Sequence, residues 1–407
     1  MEDGKKKANY ALVSSMLMML FLGIIYLWSI FKDPVVEYYG WTQEGSSAVF
    51  SIMFPLNIFG VIAGGFLIDR KGMRFTLLLG FWLTFLGLVL TSFVPGEYPW
   101  LIYITYAAMV GFGAGLFSNC CLSCVQKWWY DRKGLAVGLV NCSYAISSVV
   151  FAPLINMLLK TRLSVPGTFR VLGAGFLIIF LLTFRSISFP PEGWIKATEQ
   201  DGTQYTSAQK QYKPGEVLRS ARYYLFMLCN ICVMSGYLML NSMFKSFAIS
   251  KGLSEALAVT CVMLSGIGSA AGRLFVSWLT DRIASIKVMM GVFVVLFLSL
   301  GATFLSGSAV FIIAISGVSL CFGASASLSS VLNVENFGTK YLSSNYSIIS
   351  FGAFVAGLVS PNLGIALSSG GVPTAEAIIV AMVLAAVGFF AAMVLGRLMR
   401  KQLKQAS

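Results

Sequence analysis

The sequence has no histidine, and only 11% of its 407 residues are charged. Acidic residues are the scarcer sign, 16 against 29 lysines and arginines, and none sits deep inside an apolar stretch. An enzyme is therefore not expected, because neither an imidazole nor a buried carboxylate pair is there to carry acid–base chemistry. The same lack bears on the cysteines. Cys121/Cys124 and Cys229/Cys232 have the CxxC spacing of zinc and redox motifs. Yet all eight cysteines (Cys120, Cys121, Cys124, Cys142, Cys229, Cys232, Cys261 and Cys321) lie in apolar helical runs with no histidine to join them. They read as small buried hydrophobes, and neither a metal nor a cofactor is expected. A formal charge of +13 raises the question of nucleic acid. The basic residues form no continuous patch and no reader motif, so no nucleic-acid partner is expected.

What the chain does have is apolar length. Hydrophobic residues make up 57% of it, the reverse emphasis of a soluble domain. Twelve segments are long enough to cross a bilayer: 9–31, 46–69, 75–94, 100–126, 134–158, 167–184, 223–249, 255–280, 287–306, 309–332, 341–367 and 375–396. A helix closes its own backbone hydrogen bonds, so helices are the spanning structure expected of each. Arg170, near the outer end of the sixth, can snorkel to the interface. The N-terminus does not read as a cleavable signal, since the apolar run after Lys5-Lys6-Lys7 is too long and lacks a small-residue cleavage site.

Short basic clusters set the orientation. With both termini on the cytoplasmic side, 22 of the 29 basic residues fall inside, among them Lys5, Arg70, Lys71, Arg74, Arg282 and the C-terminal tail. Lys32, Lys160, Arg162, Arg170, Lys245 and Lys251 fall at or near the outer edge, where Lys245 can snorkel. This bias predicts a multi-pass protein of a cell membrane, plasma or inner, with cytoplasmic termini. The polar stretch 185–222, with Pro190-Pro191, divides the chain. Residues 1–184 form one six-span bundle, 185–222 a cytoplasmic linker with a short surface helix, and 223–407 a second bundle with a basic tail.

Arg273 stands apart from the other basic residues. It lies eight residues before Asp281 in the otherwise uncharged run Ala256 to Leu279, which places its α-carbon ~12 Å inside a ~30 Å hydrocarbon core. An ionised guanidinium at that depth must face a wet cavity or a partner. A bound anion would serve as that partner, the bland alternative being bonds to helix carbonyls.

Other polar residues fall at comparable depth. Asn57, Asn119 and Tyr144 lie ~12–18 Å from the cytoplasmic edge by helical rise. Asn141 shares a face with Tyr144, Tyr237 lies near the middle of the seventh span, and Tyr26 and Trp28 lie in the outer half of the first. Hydroxyl and amide donors beside a cation suit a carboxylate, and aromatic walls suit an apolar tail. The amides serve equally well as interhelical bonds, and Tyr26 and Trp28 equally well as packing or belt aromatics.

A repeat links the halves. Gly65-Phe66-Leu67-Ile68-Asp69-Arg70-Lys71-Gly72-Met73-Arg74 follows the second span, and Ser277-Trp278-Leu279-Thr280-Asp281-Arg282 follows the eighth, 212 positions later from Asp to Asp. Asp69, Arg70, Arg74, Asp281 and Arg282 read as latches between helix ends. The segment Gly65–Arg74 resembles the signature loop of the major facilitator superfamily. A finer resemblance, to the oxalate/formate antiporter family, rests on stretches spread over the chain. They are Gly23-Ile24-Ile25-Tyr26-Leu27-Trp28-Ser29-Ile30-Phe31, Gly40-Trp41-Thr42, Gly111-Phe112-Gly113-Ala114-Gly115, Lys127-Trp128-Trp129-Tyr130-Asp131-Arg132-Lys133-Gly134-Leu135-Ala136, Pro190-Pro191-Glu192-Gly193-Trp194, Gly272-Arg273 and Asn345-Tyr346. The resemblance implies an all-α integral membrane protein of twelve helices in two pseudo-symmetric six-helix bundles. It also implies exchange of small carboxylates by alternating access, with Arg273 as an anion-binding group.

The chain departs from that family in ways that bear on substrate. Oxalate exchangers pair this arginine with a lysine in span eleven, where this chain has Ala353. A tyrosine after the span-four glycines is replaced by Ser118. One deep cation suits one carboxylate, so monocarboxylates are expected over oxalate. Animal monocarboxylate carriers resemble the chain more distantly, but they place an aspartate where Ser269 stands and a lysine in a first span that here, from Asn9 to Phe31, is uncharged. Exchange or facilitated passage is therefore favoured over proton-coupled symport. A drug or cation extruder of this fold would want a buried acid, and a non-transporting sensor an added signalling domain. The expected partners are the anion and the lipid bilayer, and the expected state is a monomer.

Overall fold

The structure is a computed structural model describing residues 2–129, 133–191, 212–280, 282–305, 307–337 and 342–406. Twelve helices are long and apolar enough to cross a membrane: Gly4–Tyr39, Gln43–Ile68, Met73–Thr91, Tyr103–Trp128, Ala136–Leu159, Ser164–Thr183, Ala221–Asn241, Glu255–Thr280, Ser285–Ala302, Ser308–Phe337, Ile348–Ala366 and Ala375–Met399. They are numbered here as spans one to twelve. The chain separates into two compact units, Met1–Tyr205 and Thr206–Ser407.

Both units use one packing plan. In the first, span two lies against span four, span one against span five, and span three against spans four and six. In the second, the counterparts recur: eight against ten, seven against eleven, and nine against ten and twelve. Small residues make the tightest of these contacts. A Cβ added at Gly60 would strike the Phe112 carbonyl, and one at Gly115 the Asn57 carbonyl. In the second unit, one at Gly272 would strike the Leu320 carbonyl and one at Gly323 the Ser269 carbonyl. Lipid tails are as apolar as leucine, so close backbone approach of this kind is a principal source of helix association in a membrane. Larger side chains fill the rest. Phe81 and Phe180 stack at 4.0 Å between ring centroids, and Phe176 lies 5.4 Å from Phe21 and 5.7 Å from Phe117, tying spans one, three, four and six together.

The helix ends follow from local chemistry. Thr42 caps span two by accepting the Gly45 amide at 3.0 Å, the usual task of a threonine at that place. Gly72 ends the same helix at φ 87°, a conformation that a residue with a Cβ resists. Between spans eleven and twelve, Gly370 and Gly371 at φ 57° and 74° turn a small hairpin that pairs Ser369 with Val372, as a two-residue turn with both central residues at positive φ requires.

Two spans depart most from their sequence boundaries. The first does not stop at Phe31. It passes through a short 3-10 stretch, Gly23–Leu27, and continues as helix Trp28–Tyr39 with Pro34 inside it. Lys32, expected at the outer edge, is fully buried within that helix and lies 4.0 Å from Asp33. The seventh stops at Asn241, and a separate short helix, Phe244–Ser250, follows. That helix carries Lys245, which is buried and bonded to Glu255 at 3.1 Å rather than extended to the surface. Arg170 is exposed, with its guanidinium 5.0 Å from the Phe93 ring.

The described ends of the 185–222 stretch pack on their own units. The Ser188 carbonyl accepts the Trp128 indole N–H at 2.7 Å, and Lys127 lies over Phe189. The short helix Pro214–Leu218 is present, and before it the Tyr212 hydroxyl accepts an N–H of Arg222 at 2.8 Å. Linker residues 192–211 lie outside the described residues.

Candidate functional site

Arg273 sits on span eight one residue after Gly272 and is 8% exposed. Its own backbone carbonyl accepts the Ser327 hydroxyl of span ten at 2.8 Å, which fixes the helix at the turn that carries the guanidinium. Span ten also holds Phe322, which stacks on Tyr237 of span seven at 4.2 Å between centroids and 14° between planes. Tyr237 itself is 4% exposed. Asn230 of span seven accepts from Ser329 at 3.2 Å. The second unit thus joins a buried cation, an aromatic wall and amide and hydroxyl groups through one helix.

In the first unit the 3-10 stretch of span one carries Tyr26. Gly23, three residues earlier, approaches the Tyr144 carbonyl and Ser147 so closely that a Cβ would not fit. That approach brings the Tyr26 and Tyr144 rings edge to face at 5.2 Å, with Phe54 of span two 6.2 Å from Tyr26. Asn141, half-buried, lies one turn before Tyr144 on span five. These three sequence-predicted residues are gathered on neighbouring helices.

The structure engages the other candidates elsewhere. The Asn57 amide donates to the Gly111 carbonyl at 3.2 Å, and the Asn119 amide to the Val61 carbonyl at 2.9 Å while its oxygen accepts from Ser123. Both therefore bind span two to span four. Trp28 is fully buried against Phe31 and Tyr106, and its indole donates to the Ser46 carbonyl, a packing role separate from the Tyr26–Tyr144 pair. Ser118, at the place of the family's tyrosine, bonds back to the Ala114 carbonyl at 2.8 Å. Among the latch candidates, Arg70 and Arg74 are exposed, and Arg282 is exposed with its guanidinium 4.3 Å from the Trp278 ring. Asp69 lies near the end of the helix Gln43–Lys71, but its side chain is outside the described residues, as are Asp281 and the side chains of Asn345 and Tyr346.

Sequence reasoning missed Phe322, Asn230, Ser327 and the buried Lys32. The signal for Lys32 was present: Val35-Val36 and Tyr38-Tyr39 carry the apolar character past it to the stop at Gly40. All eight cysteines are buried and free. No group of three or more metal-ligating side chains comes together among the described residues.

Twelve apolar spans in two repeat-related units, with a buried arginine in the second and an aromatic pair within each, describe a multi-pass membrane protein. The chain belongs to the Major Facilitator Superfamily, whose family model matches residues 12–361. It is similar to the oxalate:formate antiporter of Oxalobacter formigenes, 25% identical over 372 residues that cover 88% of this chain and 84% of that protein. It is also similar to monocarboxylate transporter 12-B of Danio rerio, 24% identical over 370 residues that cover 83% and 76%. A crystal structure of the nucleoside transporter NupG shares the fold, with a TM-score of 0.70 at 14% identity, covering 96% of this chain and 99% of that one.

Proposed function

We propose that this protein carries small organic anions, monocarboxylates before oxalate, by alternating access with exchange favoured, and that Arg273 binds the carboxylate. The observation that carries this reading is a buried arginine near the middle of an otherwise uncharged span. A guanidinium offers a carboxylate two parallel N–H donors, which compensates both charges for leaving water. Ser327 bonds the backbone at that turn to span ten, so the arginine projects from a fixed point of the helix. Tyr237 with Phe322, and Tyr26 with Tyr144, supply aromatic surface for a short apolar tail together with phenolic donors. Two similar proteins, named for oxalate and formate and for monocarboxylates, support the same substrate class. Ala353 stands in span eleven where the oxalate-exchanging family has its second cation, which favours one carboxylate over two.

The positive-inside bias supports cytoplasmic termini, and Arg70, Arg74 and Arg282, with Asp69 and Asp281, are proposed as latches at the cytoplasmic helix ends. The protein is proposed to act as a monomer. The deciding experiment is binding and uptake by Arg273→Gln in proteoliposomes, with formate, lactate and oxalate as ligands. Loss of saturable uptake is expected from a variant that melts like the parent, with Arg273→Lys retaining part of it. Undiminished saturable uptake by the glutamine variant would remove Arg273 from the site.

A further inference from the structure

A groove of about 250 Å³ opens on the second unit between spans eight and nine. Its origin lies in the packing of span eight. Gly268 and Gly272 draw that helix onto span ten, while its contact with span nine is slight, so the two consecutive helices stand apart. Phe275 and Leu279 of span eight form one wall, Val288, Gly291 and Val295 of span nine the other, and Leu320 of span ten the floor. Phe275 and Val295 are exposed on the unit's surface.

One charged residue lines this apolar groove among the described residues: Lys287, exposed at the start of span nine. A second cation, Arg282, lies five residues earlier in the chain. Ile283 lines the groove, and its neighbour Arg282 stacks over the exposed Trp278 of span eight. At the repeat-related positions of span three, 212 residues earlier, Phe75 stands for Lys287 and Leu79 for Gly291. The second unit therefore has a cation and an open position where the first has two bulky apolar side chains.

We propose that this groove holds one acyl chain of an anionic phospholipid, with the lipid phosphate on Lys287 and Arg282. An apolar channel on a membrane-exposed surface accepts a hydrocarbon tail, and a pair of cations at its end selects the headgroup. Any lipid tail could wet the walls, but only a net negative headgroup has a reason to stay at this end. The reading is independent of which substrate the protein carries.

Native mass spectrometry of the full chain in detergent tests it, with an equimolar mixture of phosphatidylglycerol and phosphatidylcholine bearing identical palmitoyl and oleoyl tails. One tightly held phosphatidylglycerol is expected, preferred by at least about tenfold, since each lysine or arginine near an anionic headgroup contributes about a fivefold preference. The double variant Arg282→Gln/Lys287→Gln should reduce that preference to about twofold or less. Gly291→Leu should also lose the tight lipid, with both cations intact, because its side chain fills the groove. If that variant melts early, Val295→Trp closes the same groove from an exposed position. Equal retention of the two lipids by the unmodified chain would overturn the proposal. So would a preference lost only in the charge variant, because the lipid would then lie outside the groove.

Discussion

Gly272→Ala and Gly291→Ala make the same chemical change on adjacent spans, and the structure predicts opposite outcomes. At Gly272 the new methyl group would strike the Leu320 carbonyl oxygen and lie 2.9 Å from the Leu320 carbonyl carbon and 3.0 Å from the Ala324 nitrogen. These are backbone atoms, so no rotamer change relieves the contact, and spans eight and ten must separate by roughly half an ångström or more to restore carbon contact distances. Overpacking of this kind costs about 1–3 kcal/mol. At Gly291 the methyl group meets nothing within 4 Å. Both substitutions gain the same backbone term, up to about 1 kcal/mol in a helix, so that term cancels in the comparison. The two variants should differ by about 1–3 kcal/mol, with Gly272→Ala the less stable. For a unit of this size that is a gap of roughly 2–12 °C in melting temperature on the scale of soluble domains. The assay is thermal unfolding of the purified variants in one detergent, followed by tryptophan fluorescence. Melting temperatures that coincide, or a more stable Gly272→Ala, would refute the packing argument. The displaced backbone would also pull Arg273 from the Ser327 hydroxyl, so ligand binding by Gly272→Ala should fall.

Other substitutions test the roles assigned above. Trp28→Phe removes the indole donor to the Ser46 carbonyl, which should cost about 0.5–1.5 kcal/mol of stability and leave substrate preference in competition assays unchanged. Ala353→Lys should shift competition for uptake toward oxalate, and a variant with unaltered preference would dissociate span eleven from anion selection. Proteoliposomes preloaded with unlabelled monocarboxylate should take up labelled substrate rapidly without a pH gradient. Concentrative uptake driven by protons alone, for an anion ionised throughout, would contradict exchange.

The twelve spans could be read from the sequence because a bilayer demands length and apolarity, and both are local properties. Their ends were less legible where the chain mixes signals. Pro34 and Lys32-Asp33 read as the edge of span one, but the helix absorbs the proline, and Lys32 is buried beside its neighbour. Lys245 looked like a snorkelling residue because hydropathy ran past Asn241, whereas the break at Ser242-Met243 turns it toward Glu255. Among the site candidates, depth alone singled out Arg273, Tyr237 and Tyr144. Depth could not distinguish them from Asn57 and Asn119, whose amides satisfy carbonyls on a neighbouring span. That difference depends on which face each helix turns to its neighbour, and a span as apolar as these gives little periodicity from which to read a face.

The repeat explains why an arginine can stand at position 273 without disturbing the fold. Val61 and Arg273 occupy the same register, 212 residues apart, each directly after the glycine that brings its span against the next even-numbered one. In the first unit the Val61 carbonyl accepts from Asn119, and in the second the Arg273 carbonyl accepts from Ser327. The backbone bond between neighbouring spans is retained while the side chain at its acceptor differs completely. Helix packing at this point depends on glycines and carbonyls, not on the side chain of residue 61 or 273. One unit can therefore carry valine and the other a cation in the same framework. If Arg273 were needed only to hold helices together, the first unit would be expected to need a charged counterpart at the matching position, and it has none there. The asymmetry between Val61 and Arg273 is what a group recruited for an anion should produce.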